Sequence, residues 1–71
     1  MYKTIEKEDY KGAIANFTKA MELKPDYASA YSNRGISKKN LGDLNGAYAD
    51  WRKAASLGDS NSAKWVREDC N

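Results

Sequence analysis

Apolar residues recur along this chain at helical spacing, in runs separated by short polar breaks. In the first run, Tyr10, Ala13, Ile14, Phe17, Ala20, Met21 and Leu23 line one face of a helix. Asp9 stands before it as the expected N-cap, and Pro25 lies just past its end, where a helix cannot continue. The pattern predicts a helix over 10–23. Asp26 is then the expected cap of a second helix over 27–41, stopped by Gly42 in the left-handed position. Asp43 opens a third run, with Leu44, Ala47, Tyr48, Trp51, Ala54 and Leu57, which ends at Gly58. Ser60 is expected to cap a last helix over 61–69 carrying Ala63, Trp65 and Val66, and Tyr2 to Lys7 read as a short helical fragment. No strand pattern is present.

The first and third runs are copies of one another, one 34-residue step apart. Asp9/Asp43, Gly12/Gly46, Ala13/Ala47, Ala15/Ala49, Lys19/Lys53, Ala20/Ala54 and Leu23/Leu57 are identical pairs, and Phe17/Trp51 and Tyr31/Trp65 match in kind. A fixed period of this size is the mark of stacked helical hairpins, each burying its apolar face on the next. Gly35 in the second helix and Ala47 in the third are small enough to let two backbones approach, while Tyr31 and Trp51 fill the wider gaps beside them.

Tyr31, Gly35, Leu41, Gly42, Ala47, Trp51 and Ala54, in that order, resemble the tetratricopeptide repeat. The resemblance implies an all-α, right-handed α-solenoid of antiparallel helix hairpins: about one and a half repeats plus a C-terminal capping helix. Residues 1–71 would form one domain, with 1–27 a truncated first repeat, 28–61 a complete repeat and 62–71 the cap. The departures are Arg34 where the family commonly has Leu, Lys38 where it has an aromatic, and Asp59 where it often has Pro. Arg34 and Lys38 are expected to lay their stems on the apolar seam with the charges in water. Residues 49–63 also look like the related Sel1-like repeat, which makes the same kind of solenoid.

What the resemblance implies for function is protein binding, with first helices lining a concave groove for a peptide or partner protein. By family register the groove residues are Ser29, Ser32, Asn33, Ile36, Lys39, Asn40 and Arg67, with Tyr2, Ile5, Ala63, Val66 and Cys70 beside them. Tyr31-Ser32-Asn33-Arg34 is similar to the segment of heat-shock co-chaperone repeats whose Asn holds a peptide's terminal carboxylate, and Arg67 falls where that clamp has an Arg. Tyr2 and Ala63 stand where it has Asn and Lys, so Asn33 and Arg67 are read as ordinary polar groove residues in preference to a clamp. A partner with acidic groups is the expectation. With only the stub from Tyr2 to Lys7 to cover them, Tyr10, Ala13, Phe17 and Ala20 would leave an apolar stripe, and self-association as a homodimer is expected through it. A self-assembling module with no separate ligand is therefore the alternative function.

Composition narrows the field further. Twelve basic and ten acidic residues give a net charge of +2, and they are scattered rather than clustered. Nucleic-acid binding would rest on a pI near 8.7 and the tyrosines alone and is not expected. No apolar run spans a bilayer and no signal-peptide core is present, so the reading is a soluble, cytoplasmic protein without membrane contact. There is no histidine, and the lone Cys70 has no internal disulfide partner, which excludes a zinc site of Cys/His type. Glu6, Glu8 and Asp9 are adjacent acids before a helix, as dipole compensation favours, and Trp51 and Trp65 sit at packing positions rather than on a base-stacking platform. No nucleophile with a base, no phosphate loop and no cofactor motif is present, so neither catalytic residues nor a cofactor is expected.

Overall fold

The computed structural model describes residues 7–69; Tyr2, Ile5, Cys70 and most of the fragment over 2–7 lie outside them. Four helices follow in order: α1 (Lys7–Leu23), α2 (Ala28–Asn40), α3 (Leu44–Ser56) and α4 (Ser60–Asp69). Each packs on the next, α1 on α2, α2 on α3 and α3 on α4. The overall extents of 38 × 32 × 20 Å describe a slab about two helix diameters thick. This is an all-α helical repeat.

The connections explain why the helices alternate in direction. At the end of α2, Gly42 takes φ +89°, and the N–H groups of Gly42 and Asp43 donate to the carbonyls of Lys39 (2.9 Å) and Lys38 (2.8 Å). The same two bonds close α3, where Gly58 takes φ +103° and Gly58 and Asp59 donate to Ala55 and Ala54, both at 3.0 Å. These are Schellman closures. In each the residue that completes the closure is an Asp that begins the next helix. The Asp43 carboxylate accepts from Gly46 N (3.0 Å), and that of Asp59 accepts from Ser62 N (2.9 Å) and Ser62 Oγ (2.5 Å). The α1–α2 connection is different, a turn with Pro25 at its second position closed by Tyr27 N donating to Lys24 O at 3.1 Å.

Three expected caps are corrected. Helix α1 begins at Lys7, so Asp9 lies inside its first turn, where a negative charge still meets the helix dipole favourably. Asp26 is consumed by the Pro25 turn, which leaves Tyr27 at the N-cap of α2 with no side-chain bond to the helix. The cap of α4 is Asp59 rather than Ser60, because the Schellman closure has already delivered Asp59 to that place.

Met21, Ala30, Ala47, Trp51 and Ala54 form the buried core. Its tightest point is the α2–α3 crossing: a methyl group on Gly35 would lie 2.5 Å from Trp51 Nε1 and 3.1 Å from the Ala47 carbonyl oxygen. The small pair does bring these backbones together, as the sequence predicts. Trp51 is 2% exposed and its indole N–H donates to the Ser32 carbonyl at 3.2 Å, so its one polar atom is satisfied inside the core. Trp65 packs on Trp51 with ring centroids 5.1 Å apart, and Tyr48 does so at 5.7 Å.

Candidate functional site

Helix α2 builds the site, because its two faces do different work. Ala30, Ser32, Gly35 and Ser37 are buried, whereas Ser29, Asn33, Ile36 and Asn40, spaced by four, three and four residues, form an exposed stripe with Lys39 beside it. Three hollows open along this stripe. The first, about 340 Å³, lies toward α1 and is lined by Asp9, Tyr10, Ala13 and Phe17 of α1 with Asn33, Ile36 and Ser37 of α2. The second, about 280 Å³, lies toward α4, with Ile36, Lys39, Asn40, Trp51 and Trp65 around it. The third, about 220 Å³, is at the start of α2 and α4 and is the polar one, with Ser29, Ser32, Asn33, Asp59 and Asn61 joined by Ile36 and Trp65. Ile36, 37% exposed, borders all three.

Of the sequence-predicted groove residues, Ser29, Asn33, Ile36, Lys39 and Asn40 thus share one surface. Ser32 also borders it, though it is only 8% exposed and offers an edge. Arg67 is exposed on α4 and is not among the residues lining these three hollows. Tyr10, Ala13, Phe17 and Ala20, expected to be left open on α1, are half-buried, and the first three line the α1-side hollow together with Asn33 and Ile36. Residues expected for the groove and residues expected for self-association therefore meet in one hollow. The Lys39 ammonium lies 5.9 Å from the centroid of the Trp51 ring, a cation held over the aromatic wall of the α4-side hollow.

Behind this surface sits a charge cluster that the sequence did not reveal. Asp50 is 4% exposed and accepts from Arg34 Nε at Oδ2 (2.8 Å) and from Arg34 Nη2 at Oδ1 (2.6 Å) in a two-pronged pair, while Lys38 Nζ is 3.2 Å from the same Oδ2. Arg34 Nη1 donates to Thr18 Oγ1 at 3.2 Å, and the Thr18 hydroxyl donates in turn to the Ile14 carbonyl at 2.7 Å. One network thus ties α1, α2 and α3. The expectation that Arg34 and Lys38 hold their charges in water is corrected: both are bound to a buried carboxylate, because an acid at that depth requires its charge and lone pairs to be met. The hydrogen bond to Asp50, and after it the charge of that carboxylate and Tyr31, raise the Arg34 pKa above its ordinary value against the opposing pull of partial burial. The signal was present in the sequence as Arg34 and Lys38, four apart on α2, with a lone acid between the apolar residues of α3.

Comparison with known proteins agrees with this architecture. The model of the TPR repeat family matches residues 4–42. Tetratricopeptide repeat protein 36 of Xenopus tropicalis is 42% identical over 55 residues, covering 78% of this chain and 27% of that protein. The Hsp70-Hsp90 organizing protein of Triticum aestivum is 42% identical over 52 residues, 73% of this chain and 9% of its own length. Protein SGT1 homolog of Homo sapiens is 38% identical over 61 residues, 86% of this chain and 17% of that protein. The chain thus spans about a quarter or less of the length of these relatives. No solved structure matches. With its 34-residue period, its Gly35–Ala47 crossing and this match over more than half its length, the chain belongs to the tetratricopeptide repeat family.

Proposed function

We propose that the exposed stripe of α2, with the hollows on either side of it, is a groove that binds a peptide or a segment of a partner protein. The tetratricopeptide repeat is a protein-interaction repeat, and the observation that carries the reading here is the convergence of three hollows on the half-exposed Ile36. Asn33 offers an amide, and Lys39 a cation that no acidic side chain among the described residues is seen to hold, so the partner contributes acidic groups. The organizing-protein relative carries Hsp70 and Hsp90 in its name; an equivalent partner for this chain falls within the same proposal. Among the described residues no helix is long and apolar enough to cross a membrane.

The test is capture of partners from cell extract by the wild-type chain and by a variant with Asn33, Lys39 and Arg67 all changed to Ala. The expected result is loss of partners and of their salt sensitivity, since exposed ion contacts are screened. Partners and salt response unchanged in a folded variant would place binding on another face.

A second reading is favoured by one observation, the half-buried state of Tyr10, Ala13, Phe17 and Ala20 beside an open hollow. In it two copies pair through α1 as a homodimer. Light scattering at tens of micromolar would then exceed the monomer mass of 7.9 kDa and return to it on Phe17→Glu. A monomer mass for the wild type, unmoved by that change, removes this reading and leaves the first intact.

A further inference from the structure

We infer that Asn45 is a site of spontaneous covalent conversion from amide to aspartate and isoaspartate, that the Asp43 cap of α3 sets its rate, and that the isoaspartyl product loosens the joint between α2 and α3.

Six asparagines occur in the chain, and Asn45 alone is followed by glycine. The conversion begins when the nitrogen of the following residue attacks the asparagine's own side-chain carbonyl carbon. Glycine puts no side chain in the way of that attack and leaves the backbone most freedom to make it. The new C–N bond closes a five-membered succinimide, and the side-chain amide leaves as ammonia, taking the proton of the attacking nitrogen. Water then opens the ring at one of its two carbonyls. Cutting at the side-chain carbonyl gives aspartate, and cutting at the main-chain carbonyl gives isoaspartate. Water is the one co-reactant.

The fold both imposes the glycine and restrains it. A Cβ on residue 46 would run into the Asp43 carboxylate and come within 3.0 Å of Lys38 Cδ, so the cap requires glycine there. The same carboxylate holds the attacking nitrogen, since Gly46 N–H donates to Asp43 Oδ1 at 3.0 Å. In helical backbone that nitrogen also runs on along the axis, out of reach of the side-chain carbonyl carbon, and ring closure waits for the first turn of α3 to open. The start of α4 repeats the arrangement in tighter form. Asp59 there holds the nitrogen that follows Asn61, and the residue that carries it, Ser62, is fully buried and bound a second time through its hydroxyl. Asn45 is exposed and Gly46 only half-buried, so Asn45 converts first.

The two products act differently. Aspartate adds a negative charge to the first turn of α3, where the helix dipole favours it. Isoaspartate lengthens the main chain by a methylene between Asp43 and Gly46, and the cap no longer spans to its nitrogen. Because this turn lies against the stem of Lys38, which holds Asp50, the lengthened chain also disturbs the cluster that ties α2 to α3.

The experiment incubates the whole chain in warm, mildly alkaline buffer beside a peptide of residues 44–48 blocked at both ends. Ammonia release, fragment masses after digestion and labelling by an isoaspartyl methyltransferase follow the conversion, and circular dichroism confirms that each variant is helical. The peptide is expected to convert fastest and the wild type slowest, with Asp43→Ala about fivefold faster than wild type, the factor by which a lost cap favours opening of the turn. Asp43→Asn, which keeps a capping oxygen, should convert as slowly as wild type. The isoaspartyl form, separated by chromatography, is expected to melt below the unconverted chain, whereas Asn45→Asp is not.

A wild type that converts as fast as the peptide, or an Asp43→Ala rate no higher than that of the wild type, overturns the inference. So does conversion at Asn61 ahead of Asn45. An isoaspartyl form that melts together with the unconverted chain removes the link to the α2–α3 joint.

Discussion

At the scale of single residues, stability turns on two buried positions, Asp50 and Gly35. Asp50 is the more consequential. Its carboxylate is held by Arg34 and Lys38, and Asp50→Ala leaves both cations without that partner. Breaking a fully buried pair costs about 3–5 kcal/mol, but Arg34 and Lys38 keep about a fifth of their side chains exposed, so about 2 kcal/mol is expected here. A urea midpoint lowered by about 1–2 M would show it, and an unchanged midpoint would deny the network a stabilising role. The raised Arg34 pKa adds stability at every pH below the ordinary guanidinium value and loses it only as pH climbs through the raised one. From the arginine side, then, the pair is indifferent to pH from acid to neutral. Gly35→Ala places a methyl against Trp51 and the Ala47 carbonyl, with an expected cost of about 1–3 kcal/mol and a red-shifted Trp51 emission as the crossing opens. Gly35 was legible in the sequence because only a residue without a side chain fits that crossing. Asp50 was not, because an acid among alanines on an amphipathic helix ordinarily faces water, and nothing local says which way α3 is turned.

At the scale of helices, where each begins and ends is set by its connections more than by its own propensities. The ends of α2 and α3 were legible because Gly42 and Gly58 must take positive φ there, and Asp43 was legible as a cap for the same local reason. The start of α1 was not, since Asp9 is as acceptable in a first turn as before one. The start of α2 was not either, since Pro25 draws Asp26 into a turn. Asp43→Ala is expected to cost about 1 kcal/mol through the lost cap, and Gly42→Ala about 1–2 kcal/mol through backbone strain at φ +89°. Asp26→Ala, with no cap to lose, should leave the thermal midpoint nearly unchanged, and a large drop would show that Asp26 holds α2 after all. The exposed stripe of α2 was legible from the repeat register. That it shares its hollow with Tyr10 and Phe17 was not, because it depends on how α1 crosses α2.

At the scale of the whole molecule, each helix leans mainly on its neighbours in sequence, so stability is shared along a line. Among the described residues, helices α2 and α3 are packed on both sides, α1 and α4 on one. Hydrogen exchange is expected to be slowest in α2 and α3 and fastest in α4 and the first turns of α1. Uniform protection across all four helices would mean that a further contact closes the open sides. Among the described residues, the α1-side hollow is where Tyr10, Ala13 and Phe17 keep apolar area that α2 does not cover.

The two joints Leu41-Gly42-Asp43 and Leu57-Gly58-Asp59 carry the same three residues and close by the same bonds. Each reverses the chain and completes its hydrogen bonding within a few residues, so a joint does not register what lies beyond the helices it connects. Such a molecule can lengthen by copying, but only in even steps. A duplicated stretch of one helix and one joint would turn every later helix end for end and send its exposed stripe to the back of the slab. A duplicated pair restores the direction. The 34-residue period is in this sense the smallest unit of growth by which a lineage can extend the face that α2 presents without inverting it.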